Sequence, residues 1–155
     1  MQVTTDLQAL FDFEDDWDRA LLKLSDAARN AVAAAVDEGP REGVQTHKYR
    51  DRTGLLTSMT KGFVEISTVG GAIGEFGAYT QYASYVDGGT KPHEIHGNPY
   101  LTFRGGDGQW RTVAMVHHPG TQPDGFMGRA YFKAEAVMIR EVEIGIDQLT
   151  RYLET

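Results

Sequence analysis

The sequence predicts an α+β fold, with a long helix near each end of the chain and a mainly antiparallel four-stranded sheet between them. Three patterns carry that expectation. Apolar residues recur at steps of three and four near both ends, apolar and polar residues alternate through the middle, and Gly/Pro clusters separate these stretches. The 155 residues are expected to form one domain, with the last helix packed on one face of the sheet and long mobile loops between elements.

The first helix is expected over about 13–38. Phe13, Trp17, Ala20/Leu21, Leu24, Ala27/Ala28, Ala31 and Ala35 fall on one helical face. Asp12, or Asp15 and Asp16, would cap its start and complement the positive end of the helix dipole. Gly39-Pro40 would end it, because proline disfavours helix at the preceding residue. Residues 39–53 have no period and read as a loop, and at Thr53–Met59 a threonine precedes a short apolar stretch that reads as one or two helical turns.

The sheet is expected over about 61–117. Gly62–Val69 alternates as a strand, with Val64, Ile66 and Thr68 β-branched on one side. Val69-Gly70-Gly71 would turn the chain into a returning arm, Ala72–Tyr79, in which Gly74 and Gly77 weaken the strand or mark a bulge. Gln81–Val86 reads as one helical turn, and 87–99, with two prolines, as an extended connector. Tyr100–Arg104 and Trp110–His117 would form a second hairpin around Gly105-Gly106-Asp107-Gly108. A loop at His118–Gly125 then leads into the last helix, expected over about 128–153. Its apolar positions are Phe132, Ala136, Ile139, Val142, Ile146, Leu149 and Leu153, which cover 21 residues in six steps. That spacing suits a narrow seam facing a helical neighbour.

Composition excludes several classes of function. Without cysteine there is no disulfide, thiol catalysis or cysteine-bound metal. No apolar run approaches the roughly 20 residues of a membrane span. The acidic N-terminal stretch does not fit a secretory signal, so an intracellularly made, soluble protein is expected. The net charge is -7, and residues 1–38 hold nine acids against three bases. Arg41, Lys48, Arg50 and Arg52 form the one basic stretch, which suits a solvated loop better than high-affinity DNA binding.

Chemistry-bearing patterns are few. His93/His96 and His117/His118 could supply three zinc ligands for a metal-dependent hydrolase, but His-x-x-His on extended chain does not aim both rings alike, and no HExxH is present. Glu14, Asp15, Asp16 and Asp18 point in different directions on a helix, as a solvated face does. Neither phosphate-binding glycine pattern occurs, and Ser58, Ser67 and Ser84 lack the GxSxG elbow. No catalytic residue, metal or cofactor is expected.

Three segments carry a family resemblance. Tyr82-Ala83-Ser84-Tyr85-Val86-Asp87-Gly88-Gly89-Thr90-Lys91-Pro92-His93 resembles the "YA-x-Y/F-V-E-x-GT-x-P-H" centre of bacteriophage tail-completion (neck) proteins. Arg52-Thr53-Gly54-Leu55-Leu56-Thr57-Ser58-Met59 resembles their "RTG-x-L-x-x-S-I/M" segment. His118-Pro119-Gly120-Thr121 through Phe126-Met127 and Ala130 resembles their "HPGT-x-x-x-P-F-L-x-x-A" segment, with Gly125 where proline is usual. The three occur in order over about 52–130, with a long helix on either side.

The resemblance implies a virion structural protein at the head–tail junction of long-tailed double-stranded-DNA phages, made in the host bacterial cytoplasm. It would form a ring of six copies between head-closure (connector) proteins and the tail-terminator or tail-tube proteins. Double-stranded DNA would pass through without specific binding, which an acidic lumen favours. A tail-terminator ring subunit is the alternative place. Neither enzymatic activity nor a membrane partner is implied.

Assembly and folding roles would fall to Arg52, Thr53, Gly54, Leu55, Tyr82, Tyr85, Val86, Gly88, Gly89, Thr90, Pro92, His93, His118, Pro119, Gly120 and Phe126. Tyr82, Tyr85 and Val86 would bury against the sheet or a neighbour, Gly88 and Gly89 would permit a sharp turn, and Pro92 and Pro119 would stiffen their loops. The loops at 39–53 and 87–99 would order at contacts, so assembly would carry an ordering cost, and both a monomer and an oligomer stay open for the free protein.

Overall fold

A computed structural model describes residues 7–68 and 70–154; for 7–14 and 66–68 it describes the backbone. In chain order the elements are α1 (Leu7–Thr46), α2 (Leu55–Met59), β1 (Thr60–Thr68), β2 (Gly71–Ala78), α3 (Ala83–Gly88), β3 (His93–Arg104), β4 (Trp110–His118) and α4 (Phe126–Leu153). The α+β class and the two long helices agree with the sequence reading. The expected side-chain role of Phe13 and the turn residue Val69 lie outside the described residues.

Helix α1 is longer at both ends than its periodicity predicts. Asp12, Asp15 and Asp16 lie within it, so none caps it, and it continues through Gly39-Pro40 to Thr46. Proline removes one helical hydrogen bond by lacking the N–H that the carbonyl four residues earlier would accept. Here that carbonyl belongs to Val36, and it points into the space a side chain at Gly62 of β1 would fill. Tertiary packing therefore carries the helix past a residue that would stop an isolated one.

Helices α1 and α4 run antiparallel in close contact, and the contact is made by small residues. Ala27, Ala31, Ala35, Gly39 and Gly43 recur every four residues along α1. On α4 they meet Ala130, Ala134 and Gly145. A Cβ added at Gly39 would lie 3.0 Å from the Ala134 Cβ, one at Gly43 would lie 3.3 Å from the Ala130 Cβ, and one at Gly145 would overlap Ala27. Ridges four residues apart on both helices interlock at this spacing. At the far end the Lys23 ammonium sits 4.7 Å above the Tyr152 ring, so α1 overhangs α4 by about three turns.

The four strands form two separate antiparallel ribbons, β1–β2 and β3–β4, in place of the single four-stranded sheet expected. Alternation marks a strand but does not say which edges meet. The first ribbon lies on α1, where Gly74 lets the Val36 and Val32 side chains approach and Phe76 reaches the space beside Gly39. Phe76 and Tyr131 of α4 bring their rings to 4.8 Å. A bulge in β1 at Glu65 lies opposite the Gly74–Ile73 step, close to where the glycines predict an irregularity. The second ribbon begins at His93, so most of the expected connector is strand, and it packs on no other described element beyond marginal touches.

The molecule exposes far more surface than its mass requires. Its accessible area is 11408 Å², whereas a compact monomer of 17.1 kDa exposes about 7,700 Å². Large apolar side chains contribute to it, with Trp17, Leu21, Trp110, Phe132 and Ile146 all exposed. Substituting Gly62→Ala places a methyl group on the Val36 carbonyl oxygen. It should lower stability by about 1–3 kcal/mol, measured by urea unfolding, with no loss of helicity in the residual native state.

Candidate functional site

The three motif segments, far apart in sequence, meet around one small core. Leu56, Ala83 and Phe126 are buried together, one from each segment, with Tyr49, Ala78, Val86 and Met127 packed around them. Leu56 is 1% exposed and Phe126 fully buried, so each removes its whole side chain from water. Tyr49 closes the cluster, stacking on His47 with centroids 4.0 Å apart and meeting Phe126 edge-on at 5.3 Å.

Asp124 ties this core to the end of α1. Its side chain is 4% exposed. Oδ2 accepts the backbone N–H groups of Lys48 and Tyr49, each at 2.7 Å, and Oδ1 accepts from Arg129 Nη2 at 2.6 Å. Arg129 also donates to the Thr46 carbonyl (3.0 Å) and hydroxyl (2.9 Å) and to the Asp124 carbonyl (2.8 Å). The guanidinium thus satisfies a carbonyl in the last turn of α1 while neutralising the carboxylate. Burial by itself would raise the Asp124 pKa; the Lys48 N–H, the Arg129 guanidinium and the Tyr49 N–H outweigh it and hold the carboxyl below its usual range. Residues 46–49 are therefore pinned, which corrects the expectation of a loop mobile through 39–53.

Asp87 does the corresponding work for α4. Gly125, with φ 70°, precedes that helix without a side-chain cap, and Asp87 Oδ1 accepts the Met127 N–H at 2.9 Å from another segment. The carbonyls of Val86 and Asp87 accept from the N–H groups of Asp124 and Gly125, each at 3.1 Å. Asp51 organises the first segment locally. It accepts from the Gly54 N–H (2.8 Å), the Thr57 N–H (3.0 Å) and the Thr57 hydroxyl (2.6 Å), and the Thr57 hydroxyl chiefly lowers its pKa.

The second and third segments join through Thr90 and Thr121, whose backbones exchange two hydrogen bonds of 2.9 and 3.0 Å. Gly89 (φ 71°) and Gly120 (φ 89°) flank this bridge, and any side chain on either would strike the opposite backbone. Gly88, in contrast, has ordinary backbone angles and open space, so the sharp turn depends on Gly89 alone. Pro92 and Pro119 line an open groove beside the bridge together with Thr90 and Thr121.

The predicted site residues divide between structural and exposed positions. Thr53 Oγ1 accepts the Leu55 N–H at 3.3 Å, and Gly54 (φ 70°) begins α2. Arg52 and Leu55 are exposed, and Leu56 takes the core position. Tyr82 and Tyr85 are exposed within the chain, Val86 is half-buried against the small core, and Ala83 is the buried residue of this segment, packed with Leu56 and Phe126. Tyr85 lines an open groove of about 720 Å³ with Lys91, His93, Ile95 and His118.

The histidines separate onto the two faces of the second ribbon. Register pairs His93 with His118 and Glu94 with His117, so alternation puts His93 and His118 on one face and Glu94, His96 and His117 on the other. The His93 and His118 rings lie 5.1 Å apart, each bonded locally: His93 Nδ1 to the Lys91 carbonyl, His118 Nδ1 accepting the Gly120 N–H. His96 Nε2 is 3.4 Å from Glu94. Among the described residues no three metal-ligating side chains gather at one point.

Searches against protein-family models, curated proteins and solved structures match nothing to this chain. The polar residues that position the segments (Asp51, Asp87, Asp124 and Arg129) escaped sequence reading. Their signal was slight: an acid just before a glycine at 87 and 124, and three before one at 51.

Removing the Asp124 carboxylate leaves Arg129 unpaired and two backbone donors unsatisfied. Asp124→Ala should cost about 3 kcal/mol at neutral pH. Because the folded pKa lies below the unfolded one, the Asp124 contribution is complete above about pH 4 and disappears as pH falls through the folded value. The stability difference between the unmodified chain and Asp124→Ala, read from denaturant titrations, should therefore shrink on acidification. A difference that stays constant into strong acid would show that the carboxylate is not the source.

Proposed function

We infer that this chain is a structural subunit of a phage particle, acting at the head–tail junction as one member of a ring that continues the DNA channel. The observation carrying the reading is the shared core: the three segments that resemble the tail-completion family each supply one buried residue, Leu56, Ala83 and Phe126, to a single cluster. Segments similar by chance in turn-rich sequence have no reason to converge.

The surface supports the same class of role. An excess of several thousand Å² over a compact monomer is surplus for a free domain and ordinary for a part that is covered on assembly. The acidic balance of -7 suits a channel wall along which DNA slides. The separated histidines favour no hydrolytic site.

In this role the chain does no covalent chemistry. The Asp124–Arg129 pair and the Thr90–Thr121 bridge hold the segments still, which lowers the ordering cost when neighbours dock. Withholding the chain during particle production should leave filled heads and finished tails unjoined, with the chain located at the neck of complete particles by cryo-imaging. Normal joining in its absence would end the reading, and its presence on free tails would move the ring to the end of the tube.

A further inference from the structure

Two apolar surfaces of this chain are left largely uncovered by its other described residues. The first is on α4. Phe132, Ile139, Ile146 and Leu153 recur every seven residues and are 73%, 51%, 50% and 58% exposed. Helical geometry places them within about 60° of each other and roughly opposite Ala130, Ala134 and Val137, which are buried. Val142, also exposed, and the half-buried Leu149 fall on one border of this stripe. The seam expected to face a helical neighbour is therefore the outer surface of α4, while the contact with α1 uses the other side.

The second surface is on the β3–β4 ribbon. Leu101 pairs with Val113, Phe103 with Arg111 and His96 with Met115, so Leu101, Phe103, Val113 and Met115 share one face. These four form a diagonal apolar strip, bordered on the same face by Arg111 opposite Phe103 and by His96 opposite Met115. On the opposite face the Thr102–Thr112 hydroxyl pair, 3.1 Å apart, interrupts the apolar positions. A lone two-stranded ribbon is marginal in water, and this one is not packed on its own helices.

We propose that the ribbon of one copy lies along the outer seam of α4 of the next, with Leu101, Phe103, Val113 and Met115 covering Phe132, Ile139 and Ile146. The apolar strip, from the level of Phe103 to Met115, runs about 14 Å, which covers about two thirds of the roughly 21 Å between Phe132 and Ile146. The two surfaces are different, so the contact is heterologous and repeats from copy to copy, as a ring requires; like pairing of α4 with α4 would stop at two. A ring member needs roughly 800 Å² on each of two sides, well within its surplus of exposed area. The assignment rests on the ring reading above and specifies its subunit contact.

The absence of native cysteine makes the test direct. Met115→Cys, Ile146→Cys and the double variant would be treated with a short bismaleimide over a series of protein concentrations. Both substitutions fall on exposed positions, and circular dichroism and thermal melting matching the unmodified chain would establish that each of the three variants folds. The double variant should give a ladder of linked copies, each single variant none, and an equal mixture of the two single variants should give dimers only. Linked dimers from Ile146→Cys alone would overturn the assignment in favour of twofold helix pairing. A double variant that yields no ladder overturns it as well, and if the unmodified chain still forms oligomers by sedimentation, the ring reading survives that result. A chain monomeric at every concentration and absent from particles would remove both.

Discussion

The fold depends on how closely α1 and α4 approach. Alanine and glycine at every fourth position of α1, from Ala27 to Gly43, bring the two backbones together, and Gly145, Ala134 and Ala130 answer from α4. Close-packed small side chains lose little conformational entropy on burial, and the approach brings many weak dispersion contacts into range. The cost is that this contact hides few large apolar groups. Leucines and isoleucines on both helices stay outside, so the same feature that joins the helices leaves the molecule with an unfilled surface.

Around that frame two close contacts help to fix the remaining elements. The first is the meeting of Pro40, Val36 and Gly62, where a carbonyl freed by proline is accommodated by a residue without a side chain. The second is Asp124 with Arg129, which links the end of α1, the loop at Lys48–Tyr49 and the start of α4. A buried ion pair of this kind contributes through the completeness of its hydrogen bonding more than through charge alone. It also lies beside the small core of Leu56, Ala83 and Phe126, holding Tyr49 where its ring closes that cluster.

The distribution of exposed groups follows from the same arrangement. With the first ribbon covering one side of the helix pair, and the second ribbon joined to the body near the Thr90–Thr121 bridge, the outer stripe of α4 and both faces of β3–β4 remain open. A domain so built is stable through a few well-satisfied contacts, and much of its apolar material is available to other chains. That division suits a subunit whose work is assembly.

Local chemistry made much of this legible from the residues themselves. Periodicity located both long helices, alternation located the four strands, and of the two glycines read as a sharp turn, Gly88 and Gly89, it is Gly89 that has positive φ. Three matters were decided only by tertiary structure. Helix α1 passes Pro40 because packing against Gly62 compensates for a lost hydrogen bond, which no local preference encodes. The strands pair as two ribbons because alternation specifies a face but not a neighbouring edge. Asp124 meets Lys48 and Tyr49, and Arg129 meets Thr46, across more than seventy residues, where carboxylates and cations on turns otherwise look alike. The seam on α4 shows the boundary most clearly: its spacing is a property of the sequence, but only the close fit of alanines on the other side determined that the seam would face outward.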